Sequence, residues 1–422
     1  MDAREAPKPI DASERVQEID IVRGFALLGI FIMNMPTMAS SPWAGGDGSH
    51  AFPMWWDRAA EIGRDVLFSG KFNSMFSLLF GVGFTIQLAR LEAKLGSRGL
   101  WIYARRLLIL MAFGLLHAFG FWFGDVLHIY AILGLFLLLL RHASDRVLFG
   151  IIAACMIYPT AFSTYRAFTT GPEEVKLMVD TSLALVASND AALGHGSFDA
   201  AFREHAHEMF TQYGVFWRFS SYFYVSMLAT LLLGYVVGRR RILQNVRDHL
   251  PLIRRVQWIG LGAGVALGVV FGVLEATDTA PMQPSLRHVI GTTAYTWCRP
   301  CIMLFYVATI LRASQRPAWL RRFAPIGAVG RTALTNYLLQ TLMGTAIFYG
   351  WGLGLWKKIG PAGVLVIPVV LFALVELPLS VWWLKRFEFG PMEWLWRALT
   401  YGRAPAMRRA VMPVVAARAA TD

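Results

Sequence analysis

Two histidines and one aspartate lie close together in the segments Gly114-Leu-Leu-His117 and Phe123-Gly-Asp125-Val-Leu-His128-Ile-Tyr130. A carboxylate beside an imidazole can fix its tautomer and let the free ring nitrogen act as a general base. The surrounding residues are apolar, and the spacing puts a tight turn between His117 and Asp125. His117 then lies about 6–9 Å below the surface at the end of one helix, at 1.5 Å per residue. Asp125 opens the returning helix and His128 sits one turn further in, so the three groups share a depth. The same arrangement would equally serve as a buried His–Asp hydrogen bond joining two helices. His117, Asp125 and His128 are the catalytic candidates, and Tyr130 joins them as a substrate-binding candidate.

Other polar residues interrupt apolar stretches. Asp20 and Arg23 are three apart and can pair on one helix face. Arg23 and Asn34 are eleven apart, close to three turns, and therefore face the same way. Lys71 and Asn73 open another apolar run near its outer end, where a lysine can snorkel. Thr292, Thr296 and Arg299 form one stripe. Arg299 needs an acceptor or a watery cavity, and Glu376 is the candidate acid, so the two read either as a structural pair or as separate ligand-binding groups. Thr332, Asn336 and Gln340 recur every four residues and must face other helices or a cavity. Cys298-Arg-Pro-Cys301 has redox spacing but no thioredoxin-like context. His205 and His207 are two apart and do not share a helix face, so no metal site is expected.

The elements that must position these residues are membrane spans. Hydrophobic residues make up 56% of the 422, mean hydropathy is +0.48, and only 16% are charged, below the quarter or so usual in soluble domains. Apolar runs long enough to cross a bilayer fall at 21–39, 67–89, 104–123, 125–141, 147–163, 217–238, 257–275, 288–311, 327–350 and 362–384. The expected fold class is all-α, a polytopic membrane bundle of about ten transmembrane helices. The first run carries Arg23 and Asn34, without a small-residue cleavage site, and reads as a span rather than a signal peptide.

A net charge of +13 could suit nucleic acid, but the basic residues sit in alternate loops. Arg90, Lys94, Arg98, Arg105 and Arg106 follow the second span, and Arg239, Arg240, Arg241, Arg247, Arg254 and Arg255 follow the sixth. Further basic clusters follow the fourth and eighth spans and fill the tail. That is the positive-inside pattern, with both termini cytoplasmic and no nucleic-acid partner. The organisation expected is a cytoplasmic tail 1–18, a membrane domain 19–388 with an external loop 164–216, and a segment 389–422 holding an interfacial helix and basic tail. Within the loop, 198–216 suits an amphipathic helix. Pro391 and Gly402 bound the interfacial helix, with Trp394 and Trp396 suited to the headgroup layer. No internal repeat of the kind found in inverted-repeat transporters is evident. Three cysteines give no disulfide framework.

Several segments resemble the YeiB family of bacterial multi-pass proteins, a domain of unknown function. They are Ile19-Asp-Ile-Val-Arg-Gly-Phe-Ala-Leu-Leu-Gly-Ile30 with Asn34, Lys71-Phe with Phe76-Ser-Leu-Leu-Phe-Gly-Val-Gly83, Leu115-Leu-His117 and Gly124-Asp-Val-Leu-His128. Gly330-Arg-Thr-Ala-Leu-Thr-Asn-Tyr337 and Phe389-Gly-Pro-Met-Glu-Trp-Leu-Trp396 complete the set and extend it over nearly the whole chain. The opening motif is also similar to that of a superfamily of transmembrane acyltransferases, including heparan-glucosaminide acetyltransferase. The resemblance implies a bacterial inner-membrane protein that moves an acyl group from cytosolic acyl-CoA, a co-substrate rather than a tightly bound cofactor, to an envelope acceptor. In the heparan enzyme the catalytic histidine follows the first helix. The nearest histidine here is His50, and His117 is the alternative base. Asn34 and Lys71 would then stabilise the oxyanion or position the acceptor. The competing readings are a transporter or lipid-handling protein lined by Arg299, Glu376, Asn336 and Gln340, and a membrane scaffold without a ligand.

Overall fold

Long apolar sequences leave the backbone one way to satisfy its polar groups in lipid, which is the helix. The computed structural model describes residues 16–44, 52, 54–278 and 283–409, and apart from an isolated bridge between Phe387 and Arg408 its regular structure is helical. The helices are α1 (Gln17–Ala39), α2 (Trp55–Leu67), α3 (Lys71–Leu95), α4 (Ser97–Gly120), α5 (Leu127–Leu139), α6 (Asp145–Thr169), α7 (Pro172–Asn189) and α8 (Phe198–Thr211). They continue as α9 (Trp217–Arg239), α10 (Leu250–Ala276), α11 (Leu286–Ser314), α12 (Pro317–Arg331), α13 (Ala333–Phe348), α14 (Pro361–Leu371), α15 (Leu377–Arg386) and α16 (Pro391–Tyr401). The chain forms a polytopic all-α bundle.

Eight helical stretches among the described residues are long and apolar enough to cross a bilayer, with α2–α3 and α14–α15 each counted as one. The other two expected spans are modified. The fourth is α5, only 13 residues, or about 20 Å at 1.5 Å per residue against a hydrocarbon core of about 30 Å. The ninth is interrupted at Thr332, where α12 ends and α13 begins. Asn336 secures that break, its amide donating to Thr332 Oγ1 at 2.8 Å, Ser380 Oγ at 3.0 Å and the Val329 carbonyl at 3.3 Å. A side chain expected to face a substrate is therefore engaged in holding two half-helices.

α1 lies at the centre and is mostly buried, whereas α10 is mostly exposed and presents Trp258, Ile259, Val265, Val269 and Val273 outward. Those outward apolar residues mark the lipid-facing perimeter. Alternate loops gather at two ends. At the basic end Gln315 bonds Glu18 (3.3 Å), Arg240 bonds Asp145 (2.8 Å) and Trp396 bonds the Arg106 carbonyl (2.9 Å). The Arg240 and Arg239 guanidiniums hold the Asp145 carboxyl below its ordinary value. At the opposite end, the loop expected over 164–216 is helical, with α7 and α8 joined by a π-helical turn at Asp190–Gly194. This cap is fastened by buried Asn189, which donates to Ser41 Oγ and Glu208 Oε1, both at 2.9 Å. Asp190 there accepts from Trp356 Nε1 at 2.8 Å and from Lys357.

The expected interfacial helix is α16, ended by Gly402 at φ 68°. Half-buried Trp396 lies beneath the Arg106 guanidinium, 3.5 Å from its ring centre. Glu393 reaches across to the start of α13, accepting from Leu334 N (2.6 Å), Thr335 N (3.2 Å) and Thr335 Oγ1 (2.6 Å). Those amides are the orphan donors of a helix start, so α16 caps α13 from outside.

Candidate functional site

The turn between α4 and α5 brings the sequence-derived cluster together. Gly114 on α4 makes the approach possible, because a Cβ there would overlap the His128 backbone nitrogen and press on Asp125. Asp125 Oδ1 accepts from His117 Nδ1 at 2.9 Å, and Oδ2 accepts from His128 Nδ1 at 2.7 Å and from the His128 backbone N–H at 3.1 Å. One carboxylate thus orients two imidazoles and holds the first turn of α5. All three side chains are buried.

With both Nδ1 atoms donating, each neutral ring presents Nε2 as an acceptor. The two rings then differ. His128 Nε2 accepts from the Tyr213 hydroxyl, which descends from the π-helical turn after α8. Burial, reinforced by Tyr224, pushes the Tyr213 phenol above its ordinary value and keeps it a donor. His117 Nε2 is buried with no hydrogen-bond partner. Of the two, His117 is the ring whose Nε2 lone pair has no hydrogen-bond partner.

Tyr337 of α13 completes the cluster. Its ring centre is 5.3 Å from that of His117, its hydroxyl donates to Asp125 Oδ1 at 3.5 Å, and it accepts the Val126 N–H at 3.3 Å. Tyr337 and Val126 also line a cavity of about 280 Å³ that continues to the basic end of the bundle. Its walls include Phe76, Leu79, Phe80 and Leu110, and Arg23, Arg106, Arg331 and Arg397 gather toward the basic end. A largely apolar recess with a few charged groups is the usual form of a small-molecule site, typically of about 300–1,000 Å³. Arg23 bonds Asp20 at 2.8 Å, as their spacing predicts, and both line this cavity. Tyr130 lines it too, its hydroxyl donating to the Asn73 carbonyl at 3.1 Å.

The remaining candidates divide. Asn34 is half-buried and has no described hydrogen bond from its side chain to the cluster. Its backbone carbonyl accepts from Thr37 at 2.8 Å. His50 lies outside the described residues. Lys71 does not snorkel: it is fully buried and donates to the Asp65 carbonyl at 2.6 Å. Arg299 and Glu376 do not pair. Gln340 Nε2 donates to Glu376 Oε2 at 3.0 Å and to the Leu27 carbonyl at 3.3 Å, and Glu376 Oε1 is left without a hydrogen bond. Glu376 closes the π-helical turn Phe372–Glu376 between α14 and α15, whose extra residue rotates it toward Gln340. Arg299 faces the start of α3 instead, with Nε and Nη2 unpartnered. Burying such a charge costs at least about 2.5–3.5 kcal/mol on insertion scales. Sequence reasoning did not single out Tyr213 and Tyr337 as members of the cluster. Both are far along the chain from Asp125, and each contributes only through its hydroxyl and ring face.

Comparison with known proteins places these features in a group. Residues 237–403 match the family described as "Protein of unknown function (DUF418)". The uncharacterized protein YxaH of Bacillus subtilis is 31% identical over 413 residues, covering 93% of this chain and 96% of the relative. The uncharacterized protein YeiB of Escherichia coli is 29% identical over 432 residues, covering 94% of this chain and 99% of the relative. No solved structure gives a significant match.

Proposed function

The chain belongs to the DUF418 family of YeiB-like proteins, and from that premise and the geometry above we propose that it is an acyltransferase of the bacterial cytoplasmic membrane. Acyl-CoA is the donor and a hydroxyl- or amine-bearing envelope glycan, lipid or small metabolite is the acceptor. One observation carries the reading. The apolar cavity with arginines at its basic end is lined deep inside by Tyr337, which contacts both His117 and Asp125.

In this reading the guanidiniums of Arg23, Arg106 and Arg397 receive the CoA phosphates and the apolar walls take the pantetheine and acyl portions. His117 Nε2 removes the proton from the acceptor as its oxygen or nitrogen attacks the thioester carbonyl. Asp125 stabilises the imidazolium that results. The C–S bond breaks as the new acyl bond forms, and the imidazolium returns its proton to the leaving thiolate. His128, itself held by Tyr213, bonds Asp125 from the other side.

The test is transfer of labelled acyl groups from CoA to envelope extracts by purified protein in lipid. His117→Ala is expected to lower turnover by at least about 100-fold with the unfolding midpoint retained, and His50→Ala to have a smaller effect. Full turnover by folded His117→Ala protein overturns the assignment, and loss of turnover in His50→Ala alone transfers the role to the loop histidine. A transport reading has one observation in its favour, the half-satisfied buried carboxyl of Glu376 at a π-helical turn. Saturable uptake into vesicles without any acyl transfer would favour it.

A further inference from the structure

The junction of α2 and α3 holds two cations deep in the bundle. Lys71 is 0% exposed and Arg299 is 1% exposed. Lys71 Nζ has the Asp65 backbone carbonyl, while the Asp65 carboxylate is already bonded to Arg64 at 2.8 and 2.9 Å. Arg299 has less: Nε and Nη2 are buried without hydrogen-bond partners. Its guanidinium lies 5.4 Å from the Tyr295 ring centre and 5.8 Å from that of Phe223, and Lys71 Nζ lies 5.1 Å from the same Tyr295 ring. Ring faces attract a cation, but they leave the guanidinium N–H groups unsatisfied. Among the described residues no carboxylate is within ion-pair distance of either cation.

A third positive element converges here. Lys71 is the first residue of α3, a 25-residue helix, and the N-terminal pole of a helix favours anions. Gly70 precedes it at φ 74°, and a Cβ at that position would overlap Arg299 Nε. The unpartnered arginine is thus aimed at the helix start. Hydroxyls stand beside it, with Ser69 Oγ and Tyr295 OH 3.0 Å apart. Two buried like charges beside a positive helix pole, with the nearby Asp65 carboxylate committed to Arg64, form a site with an unmet demand for negative charge.

We propose that Lys71, Arg299 and the N-terminus of α3 form a binding site for an oxyanion, the phosphate or carboxylate group of a small or lipid-borne ligand. The planar fork of Arg299 suits two oxygens of one such group. The α2–α3 break reaches the perimeter at Leu67, which is 46% exposed and whose carbonyl accepts from Tyr306 OH at 3.1 Å. That edge is the side from which a lipid headgroup would approach. The site stands independently of acyl transfer, although the Tyr130–Asn73 bond ties the first turn of α3 to the helix that carries His128.

The unfolding midpoint of the full chain in phosphatidylcholine nanodiscs tests this. Inorganic phosphate is titrated in one arm, and phosphatidylglycerol replaces phosphatidylcholine in the other. The wild type is expected to show a saturable rise of about 3 °C or more in at least one arm. A rise with phosphatidylglycerol alone assigns a lipid-borne anion, and a rise with inorganic phosphate assigns a soluble one. Arg299→Met is expected to abolish the rise yet unfold no lower than wild type in plain phosphatidylcholine, since the uncompensated charge is gone. Lys71→Met is expected to weaken the apparent anion affinity at least tenfold, and it carries the test if Arg299→Met does not fold. No response in the wild type, or the same response in both variants, overturns the proposal.

Discussion

Asp125 is the residue on which the cluster turns, because it accepts from both imidazoles through oxygens that cannot donate. Asparagine keeps the shape and replaces one oxygen with an amide NH2. That group would face an imidazole Nδ1 and force the proton to Nε2, where it blocks the base. Asp125→Asn is therefore expected to lower acyl-transfer kcat by about 10²–10⁴-fold with little change in KM. Tyr213→Phe removes only the donor to His128 Nε2 and should cost less than about tenfold. An equal or larger loss in Tyr213→Phe would move the base from His117 to His128. The sequence revealed this cluster because its three members lie within one helix–turn–helix, where depth can be counted by residue. Arg299 and Glu376 also sit at mid-helix by count, but counting does not report which way each faces. The π-helical turn at Phe372–Glu376 adds a rotation that no local apolar pattern announces, so of the two readings the sequence left open, the direct pair is not the one formed.

At the scale of elements, the interrupted ninth span shows why apolar length alone misjudges a helix. The run 327–350 reads as continuous, yet Thr332 ends α12, and α13 starts with donors that need acceptors. Glu393 supplies them from α16, as Asp57 Oδ1 does for the start of α14 through Ala362 N at 3.0 Å. Such caps from distant segments are invisible to a reading by adjacent residues. Glu393→Ala leaves the Leu334 and Thr335 amides unpaired and is expected to cost about 1–3 kcal/mol, read as a lowered unfolding midpoint in detergent. Burial pushes the Glu393 carboxyl above its ordinary 4.5, with the bonds from Thr335 and Leu334 opposing that shift. A raised value means that the folded chain binds the Glu393 proton more tightly than the unfolded chain does. The contribution is then complete below pH 4.5 and fades as pH rises through the raised value. Glu393→Gln, neutral throughout, should gain stability relative to wild type as the pH is raised from 4.5. A difference independent of pH would show that folding leaves the proton affinity of this carboxyl unchanged.

For the whole molecule, the alternation of basic and base-poor loops becomes a physical separation of two ends. Contacts such as Glu18–Gln315 and Asp145–Arg240 gather one set of loops, and Ser41–Asn189 and Lys357–Asp190 gather the other. The loop sequence alone supplied this grouping through its arginines. It did not supply the folded cap of α7 and α8, whose packing depends on residues such as Trp356 and Ser41 from distant loops. The two ends imply an orientation, because the positive-inside bias places the arginine-rich end in the cytoplasm. The proposed chemistry depends on that orientation, since cytosolic acyl-CoA must meet the end where Arg23, Arg106 and Arg397 gather. Single cysteines at Asp180, Lys94 and Asn245, with Cys155, Cys298 and Cys301 replaced by alanine, report it directly. All three chosen positions are exposed. In intact cells a membrane-impermeant thiol reagent is expected to label the Asp180→Cys protein. The Lys94→Cys and Asn245→Cys proteins are expected to react only after the membrane is opened. The reverse pattern would put the arginine-rich end outside, and the cavity could then not draw its donor from the cytosol.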